Sequence, residues 1–545
     1  MPQNNNRDIL QLVDDAVAGK LTRRDVLRRA VVLGLSIPAI GALLAACGDD
    51  DDDDDDDTGG GDETPTEAEG GEETPTEAEG GEMTATEGEG GEETPTEAEG
   101  GDMTATEGEG GEETPTEAEG GETPTEGDSG EFDYSDPTNP PDVMNAEAAS
   151  EYSGASLTYY GDGVGIGNEL DEAMAAKFTE ATGIEIEVIP RPTDATETFS
   201  TYQRLFQAQS GDMDVLMLDV IWPGSFAQHL TDLSEPFSDD IDRYYETIVE
   251  NNTVDGKLVG IPWFGDFGML YYRTDLIEEY GFDGPPETWD ELEEMATTIQ
   301  EGEKANDENF WGFVFQGNAY EGLTCDGLEW QASSGGGTIV DADGNVTLNN
   351  EEAIAIFNKA RGWVGNIAPP GVTTYQEEDA RNAFQNGQAA FMRNWPYAYS
   401  LAGSEDSAVA GNFDVAPLPA QEGSDHVGTV GGWQIAVSEY SENQEAAIEF
   451  ARYLTSAEVQ KWRAVAASFV PAMPEVAEDP AVIEAMPFLE TMADVVRVVR
   501  PSTPAGDLYN EVSTAYFQGL NEILNGDDAE DTVPDMADDI EFILG

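Results

Sequence analysis

Residues 151–545 read as an α/β protein of two lobes built around an open parallel sheet. Three observations predict this. From residue 156 onward, strand-like and helix-like stretches alternate as β-α-β-α-β, the spacing of an open parallel sheet. The run DVLMLDVI (214–221) is apolar nearly throughout, as a parallel strand buried on both faces requires. Finally, about 390 residues are too many for one ordinary core and suit two.

The elements follow in order. SLTYY (156–160) is a short strand. In NELDEAMAAKFTEATG, Leu170, Met174 and Phe178 share one helical face, and Gly183 stands where a helix stops. IEIEVI (184–189) alternates as a strand, and a helix through Tyr202, Leu205 and Phe206 leads into 214–221. Asp219 interrupts the end of that apolar strand, and Trp222 follows closely. Ligands of such sheets bind beyond the carboxyl ends of the strands. A carboxylate there is either a helix cap or a ligand acceptor; the second is favoured, because an unpaired acid at a buried strand end is costly. In PPETWDELEEMATTI, Thr288 and Glu291 form a capping box ahead of the apolar face Leu292, Met295, Ala296 and Ile299. SENQEAAIEFARYL repeats the design, with Ser441 as N-cap and Gln444 at N3. TIVDADGNVTL (338–348) reads as a hairpin turning at Asp343-Gly344. Its EF-hand-like acids lack the required glycine, since Val346 holds that position, so no metal site is assigned.

The N-terminal region is of another kind. Arginines 23, 24, 28 and 29 precede an apolar run, 31–46, shorter than the ~20 residues of a bilayer-spanning helix. Residues 22–28 resemble the twin-arginine export motif, and Leu44-Ala45-Ala46-Cys47 resembles the bacterial lipobox. Residues 1–46 are therefore expected to be an export signal and Cys47 a lipid-anchoring residue. After Gly48 come nine aspartates, then decapeptide units such as GGEETPTEAE. From Gly48 to Ser150 there are 39 acids and no Lys or Arg. Ten residues cannot form one solenoid repeat. One-sign charge with low hydrophobicity leaves ordering entropy uncompensated, so 47–150 is expected to be a disordered acidic tether. At ~5–6 Å × √n a coil of this length reaches about 50–60 Å before self-repulsion extends it.

The net charge of −93 comes from 115 acids against 22 bases, and the lobes share in it. Nucleic-acid partners, which require Lys and Arg, are excluded on that balance. If Cys47 is lipidated, only Cys325 remains, so no internal disulfide forms; Cys325 is expected to be a small core residue. Two isolated histidines, His229 and His426, and the absence of HExxH or a phosphate-binding loop leave no recognisable catalytic set and no cofactor.

LDVIWPGSFA (218–227), GIPWFGDFGMLYYRTDLIEEYGFDGPPETWDELEEMA (260–296) and GGWQIAVSEYSENQEAAIEFARYLTSAEVQKW (431–462) resemble extracellular solute-binding proteins of carbohydrate ABC importers, above all the trehalose/maltose-binding branch. The likeness extends over most of 155–530. It implies the two-lobed periplasmic-binding-protein-like fold (class II), hinged, each lobe a mostly parallel sheet flanked by helices, with crossings between lobes near 265, 430 and 470. Lobe 1 is then about 151–265 and 430–470, and lobe 2 about 266–429 and 471–545. It also implies a monomer on the outer face of the cytoplasmic membrane that captures a sugar, trehalose, maltose or a short oligosaccharide, and hands it to permease subunits.

Aromatic residues beside carboxylates suit that chemistry. Flat rings cover the C–H face of a sugar while carboxylates accept from adjacent hydroxyls. Trp222 lies near Asp219, Trp263 near Asp266, and Trp330 near Glu321. A single tryptophan is more readily core packing; the repeated pairing is the signal. By the resemblance, Glu169 matches a hydroxyl acceptor of the first lobe and Asp219 the acid after the buried strand. Phe264 and Asp266 match an aromatic-x-acid pair at the first crossing, and Tyr320 with Glu321 a second ligand-facing pair. Trp395 and Trp433 match stacking aromatics, Gly431 and Gly432 allow close backbone approach, and Arg500 matches a basic donor. Relatives often carry an arginine where this chain has Thr196 and Thr198, a departure that bears on the identity of the sugar. Two other functions are compatible with the residues: a glycoside hydrolase using two cleft carboxylates, and a surface adhesin or sensor of glycans.

Overall fold

The structure, a computed structural model, describes residues 132–545; the expected export signal, Cys47 and the acidic repeats lie outside the described residues. The folded body begins earlier than the expected 151. Trp462 Nε1 donates to the Asp136 carbonyl (2.8 Å) and Tyr453 Oη to that of Pro141 (2.9 Å). Val143 and Ala149 are buried in the core. Residues 132–150 thus form a strap on the first lobe rather than the end of a disordered tether. Its acidity hid this, because the contacts that hold the strap, its backbone carbonyls, Asn145 bonded to Glu449, Asp142 paired with Lys177 and the buried Val143 and Ala149, leave no local pattern in the sequence.

The chain then runs β1 (Ser156–Gly161), α1 (Gly167–Thr182), β2 (Glu185–Pro190), α2 (Ala195–Gln207) and β3 (Val215–Asp219). On α1 the buried face carries Leu170, Met174 and Phe178, and Gly183 ends the helix at φ 75°, its N–H bonding the Thr179 carbonyl. All of β3 is buried. Strand β4 (Ile261–Phe267) leads through Gly268 into β5 (Met269–Arg273), which begins the second lobe. There follow α3 (Trp289–Glu303), β6 (Trp311–Val314), α4 (Glu321–Ser333), α5 (Glu377–Gln385), β7 (Ala389–Asn394) and β8 (Phe413–Ala416). The long strand β9 (Val427–Val437) returns to the first lobe, followed by α6 (Gln444–Leu454), α7 (Ala457–Ala467), β10 (Val470–Pro471) and β11 (Val496–Val498). Helix α8 (Tyr509–Leu524) packs against α4 in the second lobe.

The first sheet has the order β10-β4-β9-β3-β1-β2, with β11 on the start of β9; the second is β8-β5-β7-β6. Only β1 with β2 and β3, β9 with β11, and β6 with β7 are parallel. Both sheets are mixed, where mostly parallel ones were expected. The cause is topological: β9 returns from the other lobe and inserts antiparallel between β3 and β4, and β5, entering from the first lobe, pairs antiparallel with β7 and β8. The third crossing also differs. The short helices at 474–477 and 480–485 pack on α7, whereas Phe488 meets Tyr399 of the second lobe at 4.9 Å. The chain therefore leaves the first lobe beyond Ala485, not near 470.

The capping box of α3 forms as expected. Ser441 does not cap α6, whose N-cap is Asn443 without a side-chain bond. Its hydroxyl instead donates to Asp214, a buried carboxylate that has greater need of a partner.

Candidate ligand-binding cleft

Each of the three parallel strands delivers a charged residue at its carboxyl end. Asp162 follows β1, Arg191 follows β2, and Asp219 closes β3. Asp162 pairs with Arg191 at 3.2 Å, both nearly out of solvent. The register then adds the aromatic wall: Trp433 of β9 stands opposite Asp219 on one side and Phe264 of β4 on the other, while Gly431 faces Asp266. Arg191 lies over the Trp433 ring, 4.0 Å from its centroid. Gly432 has φ 114°, and a Cβ there would fall 2.5 Å from the Phe264 carbonyl, so glycine is required where two strands and the ring converge.

The second lobe supplies the opposite wall. Glu321, at the start of α4, accepts from Tyr509 Oη (2.5 Å) and Ser513 Oγ (2.6 Å). Burial raises its pKa, an effect opposed by Arg500, Ser513 and Tyr509. Arg500, from the third crossing, reaches Asp219 in the first lobe at 3.0 Å and Glu321 in the second at 2.9 Å. Trp395 lies on the Arg393 guanidinium at 3.9 Å, and its Nε1 donates to Glu377 (3.4 Å), which also accepts from Tyr320 Oη (2.7 Å). The lobes touch directly as well. The Glu321 N–H donates to Thr196 Oγ1 (3.1 Å), and Gln376 Nε2 to Asp194 (3.0 Å).

Together these groups line a partly open cavity of about 80 Å³ between the lobes. Eight of the eleven anticipated ligand residues line it: Asp219, Phe264, Asp266, Glu321, Trp395, Gly432, Trp433 and Arg500. The other three do not. Glu169 is exposed in the first turn of α1. Trp222 is buried beneath Trp433, edge to face at 5.4 Å, and so supports that ring. Tyr320 is buried behind Glu377. Trp263 and Trp330 are core residues, and Cys325, read as core, is buried but borders the cavity.

Asp162, Arg191, Glu377 and Tyr397 also line the cavity and were not anticipated. The strand-end rule that singled out Asp219 applies equally to Asp162 and Arg191. Glu377 and Tyr397 come from segments with no comparable local signal. Thr196, noted for replacing an arginine of relatives, serves here as a contact between lobes.

Residues 161–461 match the family described as bacterial extracellular solute-binding protein. The chain belongs to that family. Over 380 residues it is 45% identical to a probable ABC transporter-binding protein of Deinococcus radiodurans, covering 69% of this chain and 90% of the relative. Among solved structures it resembles maltose-bound MalE3 of T. maritima, with 39% identity, a TM-score of 0.67, and coverage of 71% of this chain and 99% of that one. A ribitol complex from Agrobacterium radiobacter, 22% identical with a TM-score of 0.64, covers 72% of this chain and 99% of that one and shares the fold. As a solute-binding protein, this chain has the two-lobed architecture that its sequence indicated, with the candidate site between the lobes.

Proposed function

We propose that this solute-binding protein captures a neutral sugar, a disaccharide such as maltose or trehalose or a short oligosaccharide, and presents it to an ABC importer. One observation carries the reading. Trp433 and Trp395 line opposite walls of the cavity, each resting on a guanidinium and flanked by carboxylates. Rings held in this way suit the C–H faces of a pyranose, and the acids suit its hydroxyls. The maltose-bound relative supports the size class. The cleft's acids also disfavour anionic solutes, which would meet Asp219, Asp266, Glu321 and Glu377 at short range.

A thermal-shift screen of sugars, polyols, amino acids and peptides tests the proposal. A disaccharide at 100 times its Kd should add ~2.7 kcal/mol of stability. Trp433→Ala should weaken that ligand by about tenfold to a hundredfold, since an aromatic contact and its buried area are both lost. Stabilisation by amino acids or peptides alone would refute the sugar reading.

Membrane attachment through Cys47 completes the proposal and rests on the sequence of the lipobox-like segment. In the native host, Cys47→Ala should move the protein from the membrane fraction to the medium. Retention in the membrane fraction would count against lipidation at that residue.

A further inference from the structure

The five acids lining the cavity are not equally provided for. Asp162 is paired with Arg191, and Asp219 and Glu321 with Arg500. Glu377 accepts from Tyr320 and Trp395. Asp266 differs: its Oδ1 is out of contact with solvent and has no hydrogen-bond partner, although the side chain as a whole is only half-buried.

Several charged and polar groups face Asp266 without bonding to it. From the end of β1 comes Asp162, and from β3 Asp219, both like charges. From β5 comes Tyr271, whose hydroxyl is engaged by the Trp395 carbonyl at 2.7 Å. From β7 comes Arg393, already paired with Asp326 and Glu329. From α7 comes Arg463, whose guanidinium lies on the rings of Trp263 and Phe469 at 3.5 and 4.0 Å and whose nitrogens are buried without a hydrogen-bond partner, so that it acts on Asp266 only through its charge. Neither arginine forms an ion pair with Asp266 among the described residues.

Resting on the sugar-binding reading, we propose that closure of the cleft around its ligand takes up one proton at Asp266, so that solute capture is coupled to pH. In the open cleft this carboxylate is hydrated and keeps its charge. When lobes and sugar displace the water, an ion without a cation loses its solvation, and the neutral acid is the cheaper form. Protonation sacrifices no hydrogen bond, because a sugar hydroxyl accepts from a carboxylic acid as readily as it donates to a carboxylate. In the closed form shown here the Asp266 pKa lies well above the usual range, raised by burial and then by Asp162 and Asp219, with Arg463 and Arg393 in opposition.

The sign follows from linkage. A group with higher proton affinity in the bound state gives tightest binding below its free-state pKa. Affinity then falls, approaching tenfold per pH unit, until the bound-state pKa is passed. Calorimetry of the full chain with maltose and trehalose, at pH 6 in buffers of different ionisation enthalpy, measures the uptake directly. The expected result is uptake approaching one proton per sugar, absent in Asp266→Asn. If sugar binds without dependence on buffer, the coupling is overturned and the sugar-binding reading stands. If neither sugar releases or absorbs heat or shifts the melting temperature, the sugar-binding reading falls and the coupling with it. Uptake that persists in Asp266→Asn overturns the assignment to Asp266.

Discussion

Replacing Arg393 with methionine is expected to cost about 3–5 kcal/mol of folding stability, the scale for removing one partner of a buried ion pair. Arg393 is wholly buried on β7, 3.0 Å from Asp326 and 2.7 Å from Glu329, and also donates to Gln316 at 3.2 Å. Both acids project from α4, so the cluster fastens that helix to its sheet. It also sits under the first crossing. A Cβ on Gly268 would fall 1.9 Å from Glu329 Oε1, and Glu329 accepts from the Thr429 N–H where β9 departs. Without the guanidinium two buried carboxylates share one site, and Trp395 loses the cation beneath its ring. The deficit should depend on pH. The Asp326 pKa is already raised by burial, and loss of the arginine raises it further in the folded state. A carboxyl whose folded pKa exceeds its unfolded value costs nothing below the unfolded pKa and progressively more as pH rises toward the folded one. Urea midpoints for the variant should therefore approach those of the parent near pH 4 and separate toward pH 8. A midpoint unchanged at pH 8 would show that the cluster is not holding the lobe together.

How much of this was legible in the sequence depended on how local the cause was. The stop at Gly183, the Thr288–Glu291 capping box and the apolar run of β3 are each written within a few residues, and each forms. The mixed sheets follow from β9 inserting beside β3 across more than two hundred residues of chain, which no period of two or 3.6 encodes. The same holds for Ser441, whose hydroxyl is engaged by Asp214 from a distant strand and not by the helix it precedes. Pairing of tryptophan with acid was informative at Trp433 and misleading at Trp330, which packs edge-on against Phe315 and Trp363 in the second core. Asp162 and Arg191 were recoverable, since both hold the strand-end position of Asp219. The strap at 132–150 was masked by composition: its carbonyls reach Trp462 and Tyr453, Asn145 reaches Glu449 and Asp142 reaches Lys177, all distant in sequence, and an acid-rich stretch does not advertise them.

The largest expected effect on function, as opposed to folding, is at Arg500. Its guanidinium joins Asp219 of the first lobe to Glu321 of the second, with the Val430 carbonyl at 3.5 Å. Arg500→Met leaves two buried carboxylates facing one another across a closed cleft. That penalty belongs to the closed form alone, because separation of the lobes returns both acids to water. The variant should therefore fold with a ligand-free unfolding midpoint close to the parent's and resist closure by about 3–5 kcal/mol. Ligand binding requires the closed arrangement, so this cost appears directly as a higher Kd, by roughly 10²- to 4 × 10³-fold at 1.4 kcal/mol per decade. Arg500→Lys should recover only part of the loss, since an ammonium is a single point charge and cannot span the two acids as a planar fork does. Calorimetric titration with the sugar found by the screen, alongside ligand-free melts, separates the two contributions. A Kd near the parent value would mean that closure does not depend on this bridge. A collapsed ligand-free melt would instead make Arg500 a folding residue, comparable in role to Arg393.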